Sequence, residues 1–254
     1  MTTLILVTFL VCSCFAEEYY QIRSSPGGGY QVNKLNSGDP NVQVDFLDFG
    51  NDYFDGTQLS DTETIVYGTL DSNHFQITGV HRMLPIDRPS DYNRETHYLF
   101  FEEDEEEDYY YTKVNIDSPA IKVGRMNNHF LNYPMIDRSW LDNKLYQTSK
   151  PFKAIARAEI RDGRVEVRAV FVSLMDPISS PCAPVHDECY DGRVITYYRD
   201  HERCVHFDQC VYPAERCSNR VPRCYDGYKL VSIPSGRRGC PRYICDPEFL
   251  PQTI

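Results

Sequence analysis

From Asn41 to Val172 the chain alternates short β-branched and aromatic runs with clusters of Gly, Asp, Asn and Pro. "VQVDF", "ETIVYGTL", "HFQITGV", "HYLFF" and "YYYTKVNI" have the length and composition of strands. The clearest element is "AIARAEIRDGRVEVRAVFV", Ala154 to Val172, with Asp162-Gly163 as a two-residue hairpin turn that needs positive φ. Pairing across that turn sets Ile160 against Val165, Ala158 against Val167 and Ala156 against Ala169 on one apolar face. The other face then opposes Glu159 to Glu166 and Arg157 to Arg168. Each like-charge pair costs roughly 0.2–1 kcal/mol, but a one-residue slip would turn the whole apolar face to water. No stretch carries three turns of amphipathic helix, and only "WLDNKLYQ" reads as a short one. The pattern predicts a mainly β fold, with an N-terminal β-sandwich or barrel-like domain over residues 41–178. Residues 17–40, with the Gly-rich "SSPGGGY", read as a flexible N-terminal segment.

Charge divides the chain. The net −11 lies wholly before Cys182, because the residues from Cys182 onward carry ten acidic and ten basic side chains. Such a field repels nucleic acid and anionic membranes and favours cations, basic proteins or plain solubility. Residues 1–16 read as a secretory signal peptide, with an apolar run from Leu4 to Cys14 and small residues Cys14 and Ala16 before a cut at Ala16/Glu17. A secreted, extracellular protein is expected, and no N-x-[ST] sequon is present.

The mature cysteines support that compartment. Cys182, Cys189, Cys204 and Cys210 are spaced C-x6-C-x14-C-x5-C, and Cys217, Cys224, Cys240 and Cys245 are spaced C-x6-C-x15-C-x4-C. "CYDG" recurs at Cys189 and Cys224, which predicts two tandem modules over 182–210 and 217–245, followed by a tail over 246–254. Modules this small need bridges in place of a core, each worth roughly 3 kcal/mol on the chain-entropy model. Spacing leaves three pairings open in each.

"CYDGRVITYYRDHERCVHFDQC" resembles the first half of a peritrophin-type (type 2) chitin-binding domain, where an aromatic lies between the last two cysteines. "CYDGYKL" echoes that family's second stretch. The resemblance covers residues 182–245 only. It implies one six-cysteine module of Cys189, Cys204, Cys210, Cys224, Cys240 and Cys245, with Cys182 and Cys217 as an added pair. It further implies that Tyr197, Tyr198 and Phe207 stack on sugar rings.

Seven consecutive carboxylates, Glu102, Glu103, Asp104, Glu105, Glu106, Glu107 and Asp108, separate two strand-like runs. They read as a solvated loop whose self-repulsion a divalent cation or mineral surface would relieve, with calcium affinity at the weak extracellular end, roughly 10⁻⁴–10⁻³ M. No other cofactor is expected. There is no HExxH, no GxSxG elbow and no unpaired mature cysteine, so the chain reads as a non-enzyme. The function expected is an extracellular matrix protein that contacts cations or mineral through its acidic domain and matrix polymer or protein through its cysteine region. The alternatives are a serine protease inhibitor presenting Arg237 and Arg238 in "PSGRRGC", and a secreted ligand-binding protein.

Overall fold

The computed structural model describes residues 18–50, 56, 59, 64–85, 95–133, 135–146, 153–174, 182–185, 188–233 and 235–250. The signal peptide expected over residues 1–16 lies outside them. The protein is mainly β, as its patterning predicts.

Twelve strands build the N-terminal part, in two sets of six. The first set is β1 (Glu18–Ser24), β2 (Tyr30–Lys34), β3 (Val42–Val44), β4 (Phe46–Phe49), β5 (Thr64–Asp71) and β6 (His74–Met83). The second is β7 (His97–Glu103), β8 (Tyr109–Lys113), β9 (Ile121–Lys122), β10 (Arg125–Asn128), β11 (Ala154–Arg161) and β12 (Arg164–Ser173). The first residues of β7 to β10 follow those of β1 to β4 by 79 positions, and those of β11 and β12 follow β5 and β6 by 90. Register repeats with them. Tyr20 faces Lys34 as Leu99 faces Lys113, and Phe46 faces His74 as Arg125 faces Arg164. The N-terminal part is therefore an internal duplication.

Within each set the pairings close into a ring. β1 lies between β2 and β5, β2 pairs β3, and β6 pairs both β5 and β4. β3 passes into β4 through Asp45 alone, whose N–H donates to Asn73 O at 3.0 Å. In the second ring Gly124 makes the same bond to Gly163 O at 3.1 Å. Each ring is a small barrel, and closure removes free sheet edges. Period-two alternation gives the central strands an inner and an outer face. Tyr20, Ile22, Val32, Val66, Phe75 and Ile77 fill the first barrel, and Leu99, Phe101, Val165, Val167 and Val170 fill the second. The opposite faces meet in a shared core where Tyr19, Leu35 and Ile65 of one set pack with Phe100, Val114 and Ile155 of the other.

Two reciprocal exchanges join the barrels. β6 and β12 pair antiparallel, with Leu84 N–H donating to Val170 O and Leu174 N–H to Val80 O, both at 2.8 Å. Asn115 donates to Tyr19 O (2.7 Å) and Leu35 O (3.3 Å) and accepts from Tyr19 N–H (2.9 Å). Asn36 does the same to Tyr98 O (2.7 Å), Val114 O (2.9 Å) and Tyr98 N–H (2.9 Å). Both asparagines sit at positive φ, 55° and 61°, which Asn tolerates better than most residues.

Three expectations need correction. Residues 17–40 are not a flexible segment: β1 and β2 form a hairpin with Ile22 and Val32 in the core, and the glycines form its turn, with Gly28 and Gly29 at positive φ. The all-β domain accordingly starts before residue 41. In the β11–β12 hairpin, Ile160–Val165, Ala158–Val167 and Glu159–Glu166 pair as expected, but a bulge at Arg168, opposite the Arg157–Ala158 step, sets Arg157 opposite Ala169 and Ala156 opposite Val170. The bulge frees Arg168 from its like-charged neighbour, and its guanidinium instead bridges Glu159 (3.0 Å) and Glu166 (2.9 Å). That pairing removes the like-charge conflict the alternation implies.

The 11-residue difference between the two offsets is an insertion after β10. It carries a 3-10 turn, His129–Asn132, and helix α1 (Arg138–Leu145), which overlaps the predicted "WLDNKLYQ". Asp137 caps α1, accepting from Trp140 N–H at 3.3 Å, and Trp140, Leu141 and Leu145 face the second barrel.

The exchange between the barrels is testable. Asn115→Gly keeps the positive φ free of strain but strips partners from Tyr19 N–H and C=O, so urea unfolding should show about 1–3 kcal/mol lost. Asn36→Gly should cost a similar amount. A loss under ~0.5 kcal/mol in both would mean that packing alone, without the asparagines, joins the barrels.

Candidate functional site

The disulfides are Cys182–Cys204, Cys189–Cys210, Cys217–Cys240 and Cys224–Cys245. Each module thus joins its first cysteine to its third and its second to its fourth. The Cys182–Cys217 pair implied by the chitin-binding resemblance is not formed, because Cys182 bonds the third cysteine of its own module. Each module is one hairpin. β13 (Val194–Arg199) pairs β14 (Val205–Val211), and β15 (Tyr228–Ile233) pairs β16 (Arg242–Pro247). Ile195 faces Cys210 as Leu230 faces Cys245, so the two hairpins share a register.

Strand alternation divides the three aromatics expected on sugar. Tyr197 opposes Phe207 on one face and Tyr198 opposes His206 on the other, so the three do not form one surface. Tyr198 is 45 % exposed and stacks on the His206 ring at 5.3 Å with 24° between planes. His206, which sequence reasoning missed, lies 2.7 Å from Asp200 through Nε2. Asp200 also accepts from the N–H groups of Glu202 and Cys204, both at 2.9 Å. Partial burial opposes its ionisation, but these hydrogen bonds outweigh burial and hold the carboxyl below the ordinary carboxylate range. The result is an exposed aromatic pair with a fixed anionic edge.

The same turn anchors the modules to the second barrel. Arg199, with 2 % of its side chain exposed, grips Asp246 with two nitrogens at 2.8 and 2.6 Å and reaches Asp137 at 3.3 Å. Its Nε donates to Arg203 O at 3.0 Å, and Arg203 lies 3.5 Å from Asp246. Arg199 belongs to the first module, Asp246 to the second and Asp137 to the insertion, so one guanidinium holds three pieces of chain. Backbone contacts reinforce it. Cys245 N–H donates to Met135 O (2.9 Å), and Tyr228 OH donates to Pro85 O (2.9 Å). Gly227, at φ 82°, rests against Pro85 so closely that a Cβ would come within 2.6 Å of its Cγ. Residues 246–250 consequently belong to the packed structure rather than to a tail, with Asp246 and Leu250 buried.

Burial raises the Asp137 carboxyl above the ordinary carboxylate range, with Arg199 opposing the shift. Lys144 of α1 is pushed down to about 8, first by burial and then by Lys153 and Arg203. Below pH 8 the folded state carries a disfavoured charge that the unfolded chain does not suffer. That penalty fades as pH rises from 8 toward the ordinary lysine value of 10.5.

The acidic run forms the tip of the β7–β8 hairpin, where Asp104 N–H donates to Asp108 O (3.1 Å) and Glu107 N–H to Asp104 O (3.2 Å). Asp104 Oδ1 accepts from the N–H groups of Glu106 and Asp108, both at 2.9 Å, and Asp108 pairs with Lys122. Glu102 and Glu103 lie in β7, opposite Tyr110 and Tyr109, while Glu105, Glu106 and Glu107 are exposed. Among the described residues no three His, Cys, Asp or Glu side chains converge as a metal site requires. Arg237 and Arg238 lie in a 3-10 turn, with Arg238 at φ 66° and its carbonyl accepting from Ala214 N–H (3.0 Å). That turn packs against β13 of the first module, with Arg238 exposed.

Two measurements test this junction. Arg199→Ala leaves Asp246 and Asp137 buried beside a weaker partner, and should cost about 3–5 kcal/mol in chemical denaturation. Arg199→Met with Asp246→Leu should recover part of that loss. Lys144→Met removes the penalised charge, so its melting temperature should exceed that of the natural protein at pH 7, with the gap closing by pH 10.5. A pH-independent gap would place the strain elsewhere.

No family model matches the chain, and no solved structure matches it. The chain is similar to an uncharacterized protein of Dictyostelium discoideum, 28 % identical over 279 residues that span 99 % of this chain and 95 % of that protein. The likeness therefore runs through barrels and modules alike.

Proposed function

We propose that this is a secreted, non-catalytic protein of an extracellular matrix that binds matrix polymer through the outer face of its first cysteine module. Secretion is supported by four disulfides, which persist in oxidising compartments. No described helix is long and apolar enough to cross a membrane.

One observation carries the binding role: the exposed Tyr198 stacked on His206, with Asp200 fixed beside them. An aromatic face carries partial negative charge and attracts the polarised C–H groups of a sugar ring. Asp200 supplies an acceptor for a hydroxyl at its edge. Arg199 is adjacent in sequence and locks the strand to the barrel, so the platform is rigid and loses little entropy on binding. The acidic hairpin tip serves this reading as a multipoint contact for cations or mineral, each carboxylate weak and the set additive.

The test is retention on insoluble polysaccharide, beginning with chitin and cellulose. The natural protein should be retained, Tyr198→Phe should match it, and Tyr198→Ala should bind roughly 2–12-fold more weakly, as expected for loss of one aromatic contact. Equal retention of Tyr198→Ala, or none for the natural protein, would overturn the proposal.

A further inference from the structure

A groove of about 450 Å³ opens where the insertion meets both modules, with Arg199 and Asp137 as its floor and Tyr133 and Ile136 on its walls. Arg138 of α1 and Arg242 of β16 also line it. Both are exposed, and their charges act on Asp142 and Asp137 respectively without a close ion pair to a described residue. The floor is already neutralised, since Arg199 is gripped by Asp246, and Asp137 is engaged by Arg199 and Trp140 N–H. Two exposed guanidiniums that no carboxylate grips thus share one concavity in a chain whose net charge is −11, with only the longer-range attraction of Asp137 on Arg242 and of Asp142 on Arg138 opposing them.

We propose that this groove binds a single oxyanion, a carboxylate or sulfate ester, carried by a saccharide unit of the matrix polymer. The inference rests on the matrix-binding reading and adds a second, charged subsite to the Tyr198 face. Guanidinium forks match planar or tetrahedral oxyanions with paired hydrogen bonds. The wall selects for a sugar over a bare ion. Tyr133, braced from behind by Tyr225 of the second module at 5.3 Å, gives the groove one aromatic side. The acidic barrels oppose long polyanions, whose charges extend beyond the screening length of about 8 Å at physiological salt. An isolated anionic group meets the two arginines alone. The site exists only when the modules dock, as binding sites at domain junctions often do.

The experiment is calorimetric titration of the full chain with a uronic-acid oligosaccharide, a sulfated oligosaccharide, the matching neutral oligosaccharide and sodium sulfate. One or both acidic saccharides should bind at least roughly tenfold more tightly than the neutral one, and the stronger identifies the anion. Arg138→Gln with Arg242→Gln should weaken that binding by roughly 10–100-fold, while Arg23→Gln with Arg125→Gln, which removes the same charge from exposed barrel positions, should not. Equal loss in both double variants would show a diffuse charge effect and overturn the site. Sodium sulfate binding as tightly as the saccharides would overturn the saccharide assignment. So would sedimentation of the natural protein as an oligomer that the groove variant breaks, since the acidic hairpin of a second copy would then be the occupant. Tyr198→Ala separates the two readings: it should weaken retention on neutral polymer by the roughly 2–12-fold given above and leave the groove titration unchanged. If neutral retention never occurs but the groove titrates, the Tyr198 reading fails and the anion subsite stands alone.

Discussion

A guanidinium with almost no solvent contact must find partners for its five donors inside the protein, and Arg199 finds them in three separate segments. That requirement organises the functional end of the molecule. If Asp246 were displaced, the second module would lose its ion pair to the first. If Asp137 were displaced, the first module would lose its ion pair to the insertion. Buried ion pairs add little net stability over apolar packing but penalise every arrangement that leaves a charge unpaired. Here that penalty enforces one geometry, and both the outward face of Tyr198 and the groove between Arg138 and Arg242 follow from it.

The insertion in the second half of the duplication supplies most of the surface on which the modules dock. The two barrels share strand order, register and the reciprocal asparagine bonds, and the second carries an 11-residue insertion with the 3-10 turn His129–Asn132 and α1. That insertion supplies Met135, Ile136 and Asp137, each in direct contact with the modules or their ion network. The first barrel also contributes a contact, through Pro85 just beyond β6, where Tyr228 and Gly227 rest. The modules therefore touch chain from both halves of the duplication.

Much of this was legible along the chain, because β alternation and cysteine spacing are local signals. The strands of the β11–β12 hairpin, its turn and the two modules follow directly from them. The duplication was harder to see, because a barrel constrains faces and register rather than side-chain identity. Its trace is "LNSGDPNVQV" against "VNIDSPAIKV", where Asn36 and Asn115, Pro40 and Pro119, and Val44 and Val123 correspond. The N-terminal hairpin escaped notice because three glycines mask a turn that its flanking strands define. Arg199 and His206 escaped because their partners lie across the sheet or far along the chain, and a single sequence carries no sign of such pairings.

The two hairpin tips show how far charge is independent of fold. Ser25 N–H donates to Gly29 O and Gly28 N–H to Ser25 O, as Asp104 N–H does to Asp108 O and Glu107 N–H to Asp104 O. Gly28 and Glu107 hold the same place at φ 93° and 62°. Glycine takes that conformation without strain, whereas a residue with a Cβ is disfavoured there by roughly 1–2 kcal/mol. The backbone thus closes equally with glycines or with glutamates, and the glutamates are the less favourable choice. The carboxylates at the second tip face solvent, so the turn does not require them, and their charge is a property of the surface laid over a hairpin that the fold builds twice.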